Sequence, residues 1–124
     1  LNMVRLENAA LDPGALLADF CRRRTDVGAV VSFTGLTRAA TDGQAVTQLT
    51  LDAYPGWTET VMADLETEAR SRFDLIDVLV AHRWGALDVG EPIVFVAVAA
   101  EHRRAAFDAA DFLMDQLKTR APFW

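Results

Sequence analysis

Lysine is nearly absent from this sequence. Of its twelve basic residues, eleven are arginine, and the one lysine is Lys118. Because lysine is ordinarily among the commonest residues, this scarcity has two readings. A compositional bias toward arginine could have spared one lysine by chance on a solvated helix end, where a cation suits the helix dipole. Alternatively, the position needs an amine, since a partly buried lysine can lose its proton at working pH and an arginine cannot.

Cysteine and long apolar runs are also scarce. The single cysteine, Cys21, excludes an internal disulfide and any cysteine-based metal cage. It follows Phe20 in a helical pattern, so we predict a buried structural thiol. No apolar run is long enough to span a bilayer, and the first ten residues lack the apolar segment of a signal peptide. We therefore expect a cytoplasmic protein without a membrane partner.

Basic residues are fewer than acidic residues in this sequence. The formal net charge of −6 argues against a nucleic-acid partner, which would require a basic surface. The chain has 124 residues, of which 52% are hydrophobic, as expected for one globular domain over residues 1–124. It contains no glycine-rich phosphate loop, no zinc-protease motif, no nucleophile elbow and no metal-ligand cluster.

The apolar pattern predicts alternating strands and helices. Strands are expected at residues 4–6, 27–33, 46–54, 75–83 and 93–100. Helices are expected after Asp12-Pro13, which supplies an N-cap and a first-turn proline, and from Trp57. The first helix should end in the arginine run 22–24, a cationic last turn. This order favours an α+β single domain with a mixed or antiparallel sheet and packed helices.

The last quarter of the chain predicts one long helix. Residues at steps of three and four place a mostly apolar stripe on one face, with a guanidinium at one end and an amine at the other: Arg103, Phe107, Ala110, Met114 and Lys118. Pro122 should stop this helix, because it lacks a backbone N–H.

Four donor side chains stand out as candidates for binding an anion: Arg38, His102, Arg103 and Lys118. A guanidinium binds phosphate through two charge-assisted hydrogen bonds. Arg38 follows a turn that Gly35 would permit, although a solvated loop arginine is the alternative there. His82 falls on the apolar side of its strand, so we predict a core or edge histidine rather than a catalytic one.

Four stretches resemble the large, catalytic subunit of molybdopterin synthase, the MoaE family. They read VGAVVSFTGLTR (27–38), LTLDAYPGWTE (49–59), AHRWGALDVGE (81–91) and AEHRRAAFDAADFLMDQLKTRAPFW (100–124). The resemblance implies an α/β-hammerhead fold and a homodimer within a heterotetramer. Its partner would be a small ubiquitin-like subunit with a thiocarboxylate at its C-terminal glycine. The implied substrate is cyclic pyranopterin monophosphate (precursor Z), to which two sulfurs are transferred to form the molybdopterin dithiolene.

The resemblance also assigns roles to individual residues. Lys118 matches the catalytic lysine, Arg38 the arginine after the FTG turn, and His102-Arg103 the substrate-binding pair. Phe33 and Met114 match apolar residues that line the same pocket. No metal or cofactor is implied for this step. Lys118 could act as a general acid or base, or it could attack the acyl group to form an amide intermediate.

One departure from the family pattern concerns the end of the sequence. The family usually carries a second functional lysine directly after the tryptophan of APFW, followed by a polar tail. This sequence ends at Trp124, so the tail is expected to be absent: either the sequence is truncated or the site is incomplete. The alternative function is then a non-catalytic adaptor that binds the ubiquitin-like sulfur carrier.

The predicted last helix holds two of the candidate site residues far apart. Arg103 and Lys118 are fifteen positions apart, or about 22 Å along an α-helix at about 1.5 Å per residue. A pterin phosphate is too small to bridge that distance. We therefore expect a site across a two-fold interface, with Lys118 from one subunit and His102-Arg103 from the other.

Overall fold

A four-stranded mixed sheet carries the fold. The computed structural model describes residues 4–38, 40–41, 44–45, 48–54 and 56–120. The elements in chain order are β1 (Val4–Glu7), α1 (Pro13–Cys21), β2 (Ala29–Leu36), β3 (Ala40–Thr41), β4 (Gln44–Ala45), β5 (Gln48–Leu51), α2 (Trp57–Arg72), β6 (Asp77–Arg83), β7 (Gly85–Asp88), β8 (Pro92–Ala100) and α3 (Arg103–Arg120). The main sheet has the order β1-β6-β8-β2, and β3–β4 and β5–β7 form two-stranded pairs.

The strand pairing confirms the predicted α+β class and mixed sheet. β1 pairs with β6 in parallel, whereas β6–β8 and β8–β2 are antiparallel. Within β8, Val94, Val96 and Val98 join the core cluster formed with α2 and α3, and Phe95 and Ala97 join the cluster that contains Phe20 of α1. Because helices cover both faces of β8, its sequence is a continuous apolar run rather than an alternating one.

The direction of α3 follows from its connection to β8. Only Glu101 and His102 separate the two elements, and α3 packs against both β8 and β2. The helix therefore runs back along the sheet, antiparallel to β8 and parallel to β2. The start of β2 lies beside the start of α3, because Gly28 donates its N–H to the carbonyl of Ala100 at 3.0 Å.

The core face of α3 differs from the predicted stripe. Its buried residues are Ala106, Ala109, Ala110, Leu113 and Leu117. Of the predicted stripe, only Ala110 is buried, and the side chain of Phe107 is 55% exposed. The stripe that runs from Arg103 to Lys118 therefore borders the core and faces outward. Pro122 lies outside the described residues.

The start of α1 is as predicted and its end is not. The Asp12 carboxylate accepts a hydrogen bond from the backbone N–H of Ala15 at 3.1 Å, and Pro13 is the first helical residue. The helix ends at Cys21, before the arginine run, and the Cys21 thiol is exposed rather than buried. Phe20 takes the inward position instead, with 3% of its surface exposed.

Arg24 does not form part of a solvated helix end. Its guanidinium lies 2.5 Å from the carboxylate of Asp77 and 4.4 Å from the centre of the Phe20 ring. Asp77 also pairs with Arg70 of α2 at 3.1 Å. Burial opposes ionisation of Asp77, but hydrogen bonds from Arg24, the Val78 N–H and Arg70 together lower its pKa below the ordinary value. These contacts join the loop after α1, the start of β6 and α2.

Three strand predictions need correction. The strand predicted at 27–33 extends to Leu36, and Gly35 lies within it rather than in a sharp turn. Glycine is required there by a close approach, since an added Cβ would lie 2.6 Å from Cγ1 of Val94. The strand predicted at 46–54 is confined to Gln48–Leu51 in the described residues, and Val46 lies outside them. The strand β7 was not predicted, because Gly85 and Gly90 resemble the ends of a loop.

His82 is a core residue, as predicted. Its side chain is fully buried, and its Nδ1 lies 2.8 Å from the carbonyl oxygen of Arg83. Desolvation by burial lowers the pKa of His82 to about 4, against the smaller opposing effect of the Arg83 carbonyl. The imidazole is therefore neutral in the folded protein at neutral pH. In the unfolded chain it would bind a proton below its ordinary pKa of about 6.5.

We predict that this difference makes folding sensitive to acid. Between the unfolded pKa near 6.5 and the folded pKa near 4, the unfolded state binds more protons, so stability falls as the pH falls through that window. At pH 5 the loss due to His82 should be about 2 kcal/mol. Urea unfolding of the wild type and of His82→Gln at about pH 7.5 and pH 5 measures it. Equal pH dependence of the two proteins would contradict the prediction.

Candidate functional site

The predicted site residues lie at two ends of the layer formed by β2 and α3. Arg38 is two residues beyond the end of β2, and Lys118 is in the last turn of α3. Both side chains are exposed. Because β2 and α3 run in the same direction, Arg38 and Lys118 lie toward the same end of the layer.

His102 and Arg103 lie at the opposite end, where α3 begins. Both are exposed, and Nε2 of His102 lies 3.4 Å from the carboxylate of Glu101. His102 lines a surface depression of about 360 Å³ together with Arg72, Phe73, Asp74, Glu101, Arg104, Ala105 and Asp108. The side chains that surround His102 are thus basic and acidic in comparable number, and none of them belongs to β2.

Phe33 and Met114 are brought together between these two ends. They line a second depression, of about 310 Å³, between β2 and α3. Its other lining residues are Val31, Ser32, Phe107, Ala110 and Asp111. The Phe33 side chain is 44% exposed and Phe107 is 55% exposed, so an apolar surface is open to solvent there. Such a surface suits a flat ring or an apolar partner side chain.

Asp111 is a lining residue that the sequence prediction missed. It is four residues after Phe107 and three before Met114, so it belongs to the same helical stripe. The helical spacing that selected Phe107, Met114 and Lys118 would also have selected Asp111. Its carboxylate repels an anion, so charge alone does not mark it as part of an anion site.

The single chain does not bring all the predicted residues into one pocket. α3 is one continuous helix from Arg103 to Arg120, so the backbones of Arg103 and Lys118 are about 22 Å apart. β2 covers a similar length, about 23 Å from Ala29 to Leu36. The structure therefore groups Arg38 with Lys118, places Phe33 and Met114 between the ends, and separates His102-Arg103 from both.

The arrangement offers cations and apolar surface. Within the part of the chain that the structure describes, no group of three or more histidine, cysteine, aspartate or glutamate side chains is placed to hold a metal ion. In the same residues, no helix is both long and apolar enough to cross a membrane. Exposed guanidinium, imidazole and ammonium groups at the two ends of the β2–α3 layer can bind an anion. The apolar depression between those ends can accept a flat ring.

Comparison with known proteins places these residues in a family context. The sequence profile of a family described as "MoaE protein" matches residues 6–120. The molybdopterin synthase catalytic subunit of Caulobacter vibrioides is 48% identical, with 98% of this chain and 80% of that protein aligned. Every predicted site residue lies within the matched range.

The fold is shared with solved structures. A molybdopterin biosynthesis MoaE protein from Burkholderia ambifaria superposes with a TM-score of 0.89 at 37% identity, covering 100% of this chain and 81% of the other. A complex of subunits 1 and 2 of the molybdopterin-converting factor from Helicobacter pylori contains a chain with the same fold. That chain superposes with a TM-score of 0.82 at 20% identity, covering 98% of this chain and 81% of the other.

Proposed function

The chain belongs to the MoaE protein family, and from that membership we propose that it is the catalytic subunit of a molybdopterin synthase. The reaction is transfer of sulfur from a thiocarboxylated small subunit to cyclic pyranopterin monophosphate, which forms the dithiolene of molybdopterin. The observation that carries the proposal is the 48% identity to such a subunit across 98% of this chain. The exposed cations at the two ends of the β2–α3 layer support it.

The substrate chemistry matches the two kinds of surface at the site. A cyclic phosphate is an anion, and Arg38, His102 and Arg103 present donors for it on an otherwise acidic protein. The pterin ring is flat and partly apolar, which suits the surface formed by Phe33 and Met114. We assign the phosphate to the arginines and the ring system to the depression.

The partner is a small ubiquitin-like subunit that carries the sulfur on its C-terminal glycine. Its acyl group must reach Lys118, since the amine is the group assigned to the transfer. Lys118 is exposed at the end of α3, so a peptide tail can approach it from solvent. At that position the amine can serve as general acid or base during the transfer. Alternatively, it can attack the acyl carbon, which forms an amide and breaks the carbon–sulfur bond, so that the sulfur leaves as sulfide for the substrate.

A homodimer can bring residues from opposite ends of α3 into one site, because the two ends come from different subunits. One substrate cannot contact Arg103 and Lys118 of the same chain across about 22 Å. In an isologous dimer the start of one α3 can lie beside the end of its partner, which creates two equivalent composite sites. Two such subunits with two small subunits form a heterotetramer.

We predict that Lys118→Arg abolishes the reaction while leaving the protein folded. The variant keeps the charge but removes the amine, so molybdopterin formation should fall by about a hundredfold or more. Because Lys118 is exposed, the free energy of unfolding should change by less than about 0.5 kcal/mol. The assay combines thiocarboxylated partner and precursor Z and measures the fluorescent oxidation product of molybdopterin. Arg120→Lys, a change in the same helical turn, is the control, and near-normal turnover by Lys118→Arg would contradict the role of the amine.

We predict that Arg38→Ala and Arg103→Ala each weaken precursor Z binding by about tenfold or more, because each removes charge-assisted hydrogen bonds. Affinity for the small subunit should change little. Calorimetry with each ligand separates the two effects, and Arg22→Ala, which alters an exposed arginine outside the site, is the control. Lost partner binding with unchanged substrate affinity would show that the assignment is wrong.

We predict that two defective variants complement each other when precursor Z is kept well below the concentration that saturates Arg103→Ala. When Lys118→Ala and Arg103→Ala subunits exchange, half of the dimers at equal mixing contain one of each. Such a dimer has one site with both defects and one site with neither. Activity should therefore return to about a quarter of the wild-type value. Absence of activity after mass spectrometry has confirmed subunit exchange would refute the composite site.

A further inference from the structure

Thr37, the residue before Arg38, is held by an unusually complete set of hydrogen bonds. It is 5% exposed although it lies beyond the end of β2. Its backbone N–H donates to the carbonyl of Glu91 at 3.1 Å, and its own carbonyl accepts from the N–H of Gly90 at 3.0 Å. Its hydroxyl oxygen accepts from the same Gly90 N–H at 2.8 Å. As a donor, the hydroxyl oxygen lies within reach of the carbonyl oxygens of Asp88, at 3.1 Å, and Glu91, at 3.2 Å.

The turn that holds Thr37 is itself braced. It connects β7 to β8 through residues 88–91, and the N–H of Glu91 donates to the carbonyl of Asp88 at 3.1 Å. Gly90 adopts φ +93°, a conformation that most side chains disfavour. The carboxylate of Glu91 folds back to accept a hydrogen bond from the N–H of Asp88. This turn therefore presents its carbonyls and the Gly90 N–H in a fixed arrangement.

The bracing extends into the central sheet through Arg83. This residue is 8% exposed and ends β6. Its guanidinium donates to Glu91 at 2.6 Å and to the carbonyl of Ala86 at 3.0 Å. The Asp88 N–H and the Arg83 guanidinium hold the pKa of Glu91 below its ordinary value, so the carboxylate stays ionised at neutral pH. A continuous chain of polar contacts thus joins the sheet to Thr37.

Arg38 follows Thr37 directly, so the hydrogen bonds of Thr37 hold one end of its backbone. Its side chain is exposed, and the structure shows no hydrogen bond or ion pair between Arg38 and any other residue that it describes. An exposed arginine on a mobile segment would lose both backbone and side-chain freedom when it binds an anion. Fixing the preceding residue removes the backbone part of that cost before the ligand arrives.

We propose that Thr37 is a positioning residue, whose hydroxyl and backbone lock Arg38 in the orientation that binds the substrate anion. This inference deepens the proposed function and rests on it. Arg83 and Glu91 contribute to the same positioning, because their contacts shape the turn that holds Thr37. None of the three needs to contact substrate.

The test is a double-mutant cycle on substrate binding. Thr37→Val removes the hydroxyl at nearly constant volume, and the two backbone hydrogen bonds to the turn remain to preserve the fold. Its KM for precursor Z should rise about fivefold, as for one lost hydrogen bond, with little change in kcat or in partner affinity. Thr37→Ser keeps the hydroxyl and should restore the wild-type KM.

The decisive comparison is made in the absence of the arginine. If Thr37 acts through Arg38, the double variant Thr37→Val/Arg38→Ala should bind substrate no worse than Arg38→Ala alone. Additive losses, or a Thr37→Val protein with wild-type KM, would overturn the proposal. Circular dichroism and thermal unfolding of each variant exclude a general loss of structure.

A second readout keeps this inference separate from the proposed function. Hydrogen exchange of the Gly90 and Glu91 amides, which are hydrogen-bonded in the turn, should be faster in Thr37→Val than in the wild type and in Thr37→Ser. If the wild-type protein forms no molybdopterin, the proposed function fails. The positioning role of Thr37 is then tested by hydrogen exchange alone, and unchanged exchange at these amides overturns it.

Discussion

Burial of β8 on both faces is the constraint on which the rest of the structure depends. Residues 93–100 are all buried, between α2 and α3 on one face and α1 on the other. α3 must then return along the sheet after only two connecting residues, parallel to the edge strand β2. This direction brings Arg38 toward Lys118 and leaves His102-Arg103 at the far end. The distribution of the candidate site residues is thus a consequence of how the central strand is covered.

The same burial of β8 explains why α3 has one face in the core and another face at the site. Its small and branched side chains, such as Ala106, Ala109 and Leu113, pack on the sheet and are fully buried. The neighbouring stripe carries Phe107 and Met114 and borders the open depression. A single helix therefore supplies both the core and the site surface. Substitutions on the two stripes should affect stability and function separately.

Much of the fold could be predicted from periodicity, because long apolar patterns report burial directly. The strand at β8, the start of α1 and the core position of His82 follow from local pattern alone. The sequence could not show that Phe20 rather than Cys21 faces the sheet, or that Gly35 lies against Val94, since both depend on how distant elements pack. β7 was missed because its pairing with β5 is a tertiary contact between short segments that local propensity does not mark.

Some site residues could be predicted from the sequence and others could not, and the reason is physical. Family resemblance selected Arg38 and Lys118 as single residues, and helix geometry alone showed that Arg103 could not join Lys118 in one chain. A residue that acts by positioning another residue cannot be identified by family resemblance to a known site or by helix geometry. Thr37 is a small polar residue next to an arginine, and its role depends on a turn more than fifty residues later. Only the three-dimensional contacts connect the two.

The measurement that tests the central claim most directly is cross-linking between subunits. Chains with Cys21 replaced by serine would carry either Arg103→Cys or Lys118→Cys, and the two would be mixed and treated with a bismaleimide much shorter than the roughly 22 Å between these positions in one helix. A site shared between subunits predicts a covalent dimer that contains one chain of each kind, formed in greater yield than with either variant alone. Equal yields in the mixture and in the separate variants would contradict the account.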